Sequence, residues 1–178
     1  GRSKLAGEEA IRASGCRALV LRTSWVYGAH GRNFVKTVLR LARERDELRV
    51  VDDQHGAPTS AELIADVTAL ALAAYGRQQL DEGLYHLSAA GRASWHDLAR
   101  RTVERARHNG APLRLRPERI RAVATEDYPL PAPRPRNSLL DTGLLSGALG
   151  LDLPDWTVHL DRTVDCLTRP FDALSDAS

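Results

Sequence analysis

Methionine is missing from all 178 residues, position 1 included. A natural chain starts with Met, so the sequence is expected to be part of a longer one. Lysine is nearly missing as well: Lys4 and Lys36 stand alone, and every other basic side chain apart from histidine is Arg. That bias reads as GC-rich coding rather than a functional demand. Cys16 and Cys166 are far apart, with no C-x-x-C and no His at zinc-like spacing. They are read as buried or incidental thiols in a reducing compartment.

No apolar run approaches the ~18–20 residues that span a bilayer, and no charged-then-apolar leader opens the sequence. The reading is cytoplasmic, with no membrane partner. Six histidines are scattered without an H-x-x-x-H pair, so no metal site is expected. No G-x-S-x-G nucleophile elbow occurs. Gly28-Ala29-His30-Gly31 sits where a dinucleotide-binding loop would sit but lacks G-x-G-x-x-G, and reads as a plain turn. Asp52 and Asp53 are neighbours on a strand, so they point to opposite faces and cannot flank one bond. A net charge of +2 does not indicate a nucleic-acid partner. Arg114, Arg116, Arg119 and Arg121 lack the interleaved aromatics that stack on bases, which leaves a solvated face.

What is present alternates between two periods. Helices are predicted over Arg2 to Ser14 with Gly15 as the stop, Asn33 to Glu44, and Thr59 to about Gly76. Others run from Ser94 to Asn109-Gly110, around Leu144, and from Asp155 to about Leu167. Between them lie short strands at 18–21, Leu48 to Asp53 and Leu84 to Leu87. The apolar run Ala18-Leu19-Val20-Leu21 has the composition of a parallel strand covered on both faces. Thr59-Ser60-Ala61-Glu62 fits a capping box with Thr59 as the cap. Pro129, Pro131, Pro133 and Pro135 alternate through a segment that must be extended. The class is α/β, in one compact domain-sized chain.

One linked set remains after these exclusions. Arg2-Ser3-Lys4-Leu5-Ala6-Gly7-Glu8 precedes a buried strand ending in Leu21-Arg22-Thr23-Ser24-Trp25-Val26-Tyr27-Gly28. Asn33-Phe34-Val35-Lys36-Thr37 follows at a helix start, then Val51-Asp52-Asp53-Gln54-His55-Gly56-Ala57-Pro58-Thr59. Gly83-Leu84-Tyr85-His86-Leu87 and Pro131-Ala132-Pro133-Arg134-Pro135-Arg136-Asn137-Ser138 close the series. In this order and spacing, from Gly1 to the helix after Trp156, the sequence resembles the dTDP-4-dehydrorhamnose reductases. These are an extended branch of the short-chain dehydrogenase/reductases.

The resemblance implies the end of a doubly wound Rossmann-type domain interleaved with a small α/β substrate domain, both within residues 1–178. It also implies a nucleotide-binding half upstream, NADPH or NADH as cofactor, and a sugar nucleotide as substrate. It allows a homodimer. In that family a Tyr precedes the opening stretch, four residues before the Lys that matches Lys4. Such a pair shares a helix face, and the ammonium lowers the phenol pKa toward the working range. Lys4 is then catalytic and also hydrogen-bonds the nicotinamide ribose; Thr23 nears the nicotinamide and Trp25 packs on the deoxysugar. Trp25 follows a strand end, the edge where parallel α/β sheets bind ligands. Asn33 at a helix start suits a diphosphate, and the forked guanidinium of Arg134 could clamp the same group. Gln54, Pro58 and Thr59 form part of the nucleotide-side wall. Two rivals share the fold: a sugar-nucleotide epimerase or dehydratase, and a non-catalytic regulatory subunit.

Overall fold

The computed structural model describes residues 1–127 and 134–168. Helix α1 (Arg2–Ala13) opens the chain, and Gly15 ends it with φ of 67°, a left-handed turn that glycine adopts without a Cβ clash. No residue of α1 is buried. Its tie to the body is ionic: Glu8 takes both ends of the Arg22 guanidinium fork at 2.9 and 2.6 Å.

Parallel pairing dominates the strands. Strand β1 (Leu19–Arg22) runs parallel to β6 (Gly83–His86), with Leu19 opposite Gly83. Strand β3 (Leu48–Val51) runs parallel to β8 (Ile120–Val123). Two shorter pairs complete the set. Strand β2 (Val26–Tyr27) is parallel to β5 (Thr59–Ser60), and β4 (His55–Gly56) is antiparallel to β7 (Ala93–Ser94). Strand β8 was not predicted. Its four residues include an outward Arg121 beside an arginine-rich run, so the apolar signal is too short to stand out.

The core forms where helix α4 (Trp95–His108) packs between α2 (Phe34–Glu44) and α6 (Trp156–Thr168) and covers β3 and β8. Val35, Val38, Leu39 and Ala42 of α2 meet the buried face of α4, built from Leu98, Ala99, Val103 and Ala106. Each fully buried Leu or Val here contributes roughly 1.5–3 kcal/mol. The α4–α6 seam is closed outside the core by paired forks, Arg101 on Asp161 and Arg105 on Asp165. Helix α3 (Ala61–Gly76) and α5 (Gly143–Leu149) pack together, with α5 also against β6. Among the described residues no helix is long and apolar enough to cross a membrane.

Local chemistry departs from expectation at α3. The cap is Ser60, not Thr59: the Ser60 hydroxyl accepts the Leu63 N–H at 2.9 Å. Thr59 is pinned in β5, its hydroxyl donating to the Ala57 carbonyl at 2.9 Å and accepting from the Ala89 N–H at 3.2 Å. Glu62 turns away from the cap toward Arg162, 2.5 Å distant. The reciprocal capping box lies instead at α4, between Ser94 and Asp97. Both cysteines are exposed, so the buried alternative does not hold. The four arginines from 114 to 121 are exposed, as a solvated face requires. Pro129, Pro131 and Pro133 lie outside the described residues. Just beyond them the chain is extended: the His55 N–H donates to the Arg136 carbonyl and Ser138 N–H to the His55 carbonyl, both at 2.8 Å.

Candidate functional site

Trp25 stands in the loop between β1 and β2 with φ of 50°, a left-handed backbone unusual for so bulky a side chain. Its indole lies flat on that of Trp95, centroids 3.7 Å apart and planes 8° from parallel. Gly56 backs the other face. A Cβ there would stand 2.5 Å from Trp25 Cε2 and 2.9 Å from Cδ2, so only glycine lets the backbone lie that close. The Thr59 N–H donates to the Trp25 carbonyl at 3.2 Å and fixes the loop from below. Trp25 therefore offers a ligand its ring edge and its indole N–H, for which no described group acts as acceptor.

Trp95 opens α4 and is held in turn. Its Nε1–H donates to Gln54 Oε1 at 3.2 Å, and Phe34 leans on it at 4.8 Å and 55°. Gln54, 4 % exposed, passes the chain on by donating from Nε2 to Thr125 Oγ1 at 3.1 Å. Thr125 donates both its hydroxyl and its backbone N–H to Asp53. These bonds, with the Arg136 charge nearby, hold the Asp53 carboxyl below its ordinary range. Both polar ends of Gln54 are thus committed inside the protein. The outer face of Trp95 looks into a cavity of about 340 Å³, walled by Phe34, Leu41, Val51 and Gln54 and bordered by Arg134. The Arg134 guanidinium is exposed and 6.0 Å from the Trp95 ring, within reach of a cation–π contact.

Asn33 belongs to a different surface. It caps α2, accepting the Lys36 N–H at 3.1 Å and donating to the Gly28 carbonyl at 2.7 Å. Lys36 Nζ donates to the Ala29 carbonyl at 3.1 Å, so both the cap and the second lysine stiffen the Gly28–Arg32 turn. With its amide used in this way, what Asn33 leaves for an anion is the free backbone N–H groups of the first turn. A cavity of about 690 Å³ beside it is lined by His30, Arg32, Glu62 and Arg162.

Lys4 and Thr23 do come together. Both are exposed and line one cavity of about 470 Å³ with Glu8, Arg22 and Leu140. An ammonium and a hydroxyl facing one space are a suitable donor set for ribose hydroxyls. Pro58 and Thr59 are buried, and their contribution to any wall is through the backbone they hold in place. Asp52 and Asp53 lie just past the end of β3, not on the strand as expected, and still diverge: Asp52 accepts the Ser94 hydroxyl at 2.5 Å while Asp53 holds Thr125. Asp52, His96 and Asp97 bring ligand atoms within 4.8 Å of one another, but Asp97 is engaged in the α4 cap. Tyr27 is no proton donor in waiting. Its hydroxyl is buried without a partner, and burial, then the Asp161 and Glu62 charges, push its pKa up rather than down.

Sequence reasoning passed over Trp95, Phe34 and Thr125. The signal for Trp95 was scarcity: aromatics are 5 % of the chain, with three tryptophans in all, so two of them in one stack is a concentrated investment.

The model of the RmlD substrate binding domain family matches residues 1–169. This chain belongs to the RmlD substrate binding domain family. As a member, it is 48 % identical over 165 residues to the dTDP-4-dehydrorhamnose reductase of Shigella flexneri, covering 93 % of this chain and 54 % of that protein. Among solved structures it is similar to the Bacillus anthracis dTDP-4-dehydrorhamnose reductase in complex with NADP. That match has 33 % identity and a TM-score of 0.75, over 92 % of this chain and 53 % of the other. The Clostridium acetobutylicum reductase matches at 32 % identity and a TM-score of 0.78, over 94 % and 55 %. This RmlD-family chain spans about half the length of the curated relatives it matches.

Proposed function

We propose that this chain is the substrate-binding part of a cytoplasmic enzyme that reduces dTDP-4-dehydro-L-rhamnose to dTDP-L-rhamnose with NADPH or NADH. The observation that carries the reading is the 48 % identity to a dTDP-4-dehydrorhamnose reductase across 93 % of this chain. Residues 1–178 then comprise the end of a Rossmann-type nucleotide-binding domain and the small domain that receives the sugar nucleotide.

Lys4 and Thr23, facing one cavity, would hold the cofactor on its ribose and nicotinamide side. When bound, that cofactor supplies the hydride. Lys4 also serves proton transfer: a cation one helical turn from the family's Tyr favours the phenolate and brings its pKa toward neutrality. Trp25 meets the sugar with its edge and N–H, since both of its flat faces are covered. Arg134 supplies a forked cation for the diphosphate beside the aromatic cavity, whereas Asn33, on a different surface, caps α2 and leaves that helix's first free N–H groups facing the other cavity. Gln54, Pro58 and Thr59 shape the wall behind them.

The test is turnover by the complete protein, followed through NADPH absorbance with dTDP-4-dehydro-L-rhamnose as substrate. Stoichiometric NADPH oxidation with formation of dTDP-rhamnose is expected. Interconversion of sugar epimers without net NADPH consumption would replace this reading with an epimerase.

A further inference from the structure

We propose that Trp95 is the positioning residue of this site: it sets the conformation of Trp25 and thereby the edge that Trp25 turns to the substrate. The inference rests on the reading of Trp25 as a substrate contact. Trp25 holds a left-handed φ of 50° that a large β-substituted residue does not adopt unaided. Such a conformation persists only where the surroundings over-determine it, and they cluster at functional sites.

The surroundings are three. The Thr59 N–H holds the Trp25 carbonyl, and the Gly56 backbone lies against one ring face. Neither of these blocks the side of the 340 Å³ cavity. Trp95 does, covering the remaining face at 3.7 Å. Unlike Trp25, it stands on a scaffold. It is the first residue of α4, directly after the N-cap Ser94, and its ring is fixed by Gln54 and Phe34. The Gln54–Thr125–Asp53 chain carries that fixation to the ends of β3 and β8. A loop residue is thus located by a ring on a helix, the arrangement that gives a site its precision. Remove the Trp95 ring and Trp25 has an open cavity to turn into and a strained backbone that favours turning.

The experiment is a double-mutant cycle in the complete protein with Trp95→Ala, Trp25→Ala and both together, read as kcat/KM for the sugar nucleotide. Trp95→Ala is expected to lose about tenfold or more, with KM for NADPH changed less than about twofold, and the double variant is no worse than Trp25→Ala. Trp95→Phe, which keeps a stacking face, recovers most of the loss. Multiplying losses in the double variant, or a Phe variant as poor as the Ala variant, overturns the proposal.

A second readout is independent of turnover. In a Trp156→Phe background, Trp25 is the only indole left once Trp95 is replaced, and its fluorescence anisotropy reports ring motion. Trp25 is expected to be immobile with Phe at 95 and mobile with Ala; equal mobility overturns positioning. Full activity of Trp25→Ala sinks the substrate reading alone, because the anisotropy comparison still decides whether Trp95 positions the ring.

Discussion

Asp53 grips Thr125 twice, its Oδ1 accepting the hydroxyl at 2.6 Å and the backbone N–H at 3.0 Å. The two residues follow the ends of β3 and β8, so this clamp closes the sheet edge from which Gln54 reaches Trp95.

The clamp has a pH signature. Hydrogen bonds from Thr125, aided by Arg136, depress the native pKa of Asp53. A depressed carboxylate contributes stability above its unfolded pKa, about 3.9 for Asp, and loses it as pH falls through the lower native value. Asp53→Asn should therefore be less stable than the parent protein at pH 7, with the gap shrinking on acidification. Thermal melts of the two proteins from pH 7 down to pH 3 check this; a gap constant across that range would remove the carboxylate charge from the account.

Gly56→Ala should destabilise the protein by about 1–3 kcal/mol, the usual cost of forcing a methylene into a filled space. The added Cβ meets the Trp25 ring at 2.5 Å, and Trp95 prevents the ring from retreating. Urea unfolding measures the loss. A neutral result would mean that the indole is free to move and is not held between Gly56 and Trp95.

Thr59 and Ser60 are adjacent hydroxyls with different duties. Ser60→Ala removes the α3 cap and should cost about 0.5–2 kcal/mol. Thr59→Val leaves the buried Ala89 N–H without its acceptor and should cost about 1–3 kcal/mol, although the shape is conserved. Helix-terminal amide exchange separates them: only the Ser60 variant should speed exchange at Leu63.

Arg134→Lys keeps the charge but loses the planar fork that sits 6.0 Å from the Trp95 ring. Binding of dTDP to the complete protein should weaken by roughly 1–3 kcal/mol, measured by calorimetry. Unchanged affinity would take Arg134 out of the diphosphate site and leave it as a surface cation beside the cavity.

Much of this molecule follows from its residues in order. Apolar periods placed the helices that became α2, α3, α4 and α6, because a helical face is written within a few turns of chain. The run at 18–21 was legible as a parallel strand from its unbroken apolar composition, but β1 is half-buried rather than covered on both faces as expected. The ordered motifs from Lys4 to Asn137 pointed to the family before any coordinate did. Local rules were insufficient where two neighbours compete for one role. Thr59 and Ser60 are equally good caps in sequence, and the partner of β5, together with the Ala89 N–H, decided between them. Tertiary structure alone made the site. Gln54 and Trp95 are 41 residues apart, and Asp53 and Thr125 are 72 apart. No periodicity encodes such contacts; they arise when α4 settles onto β3 and β8 and brings a capped tryptophan over the loop that follows β1. That packing, driven by burial and without regard to distance along the chain, covers both faces of the ring that the resemblance had packing on the deoxysugar.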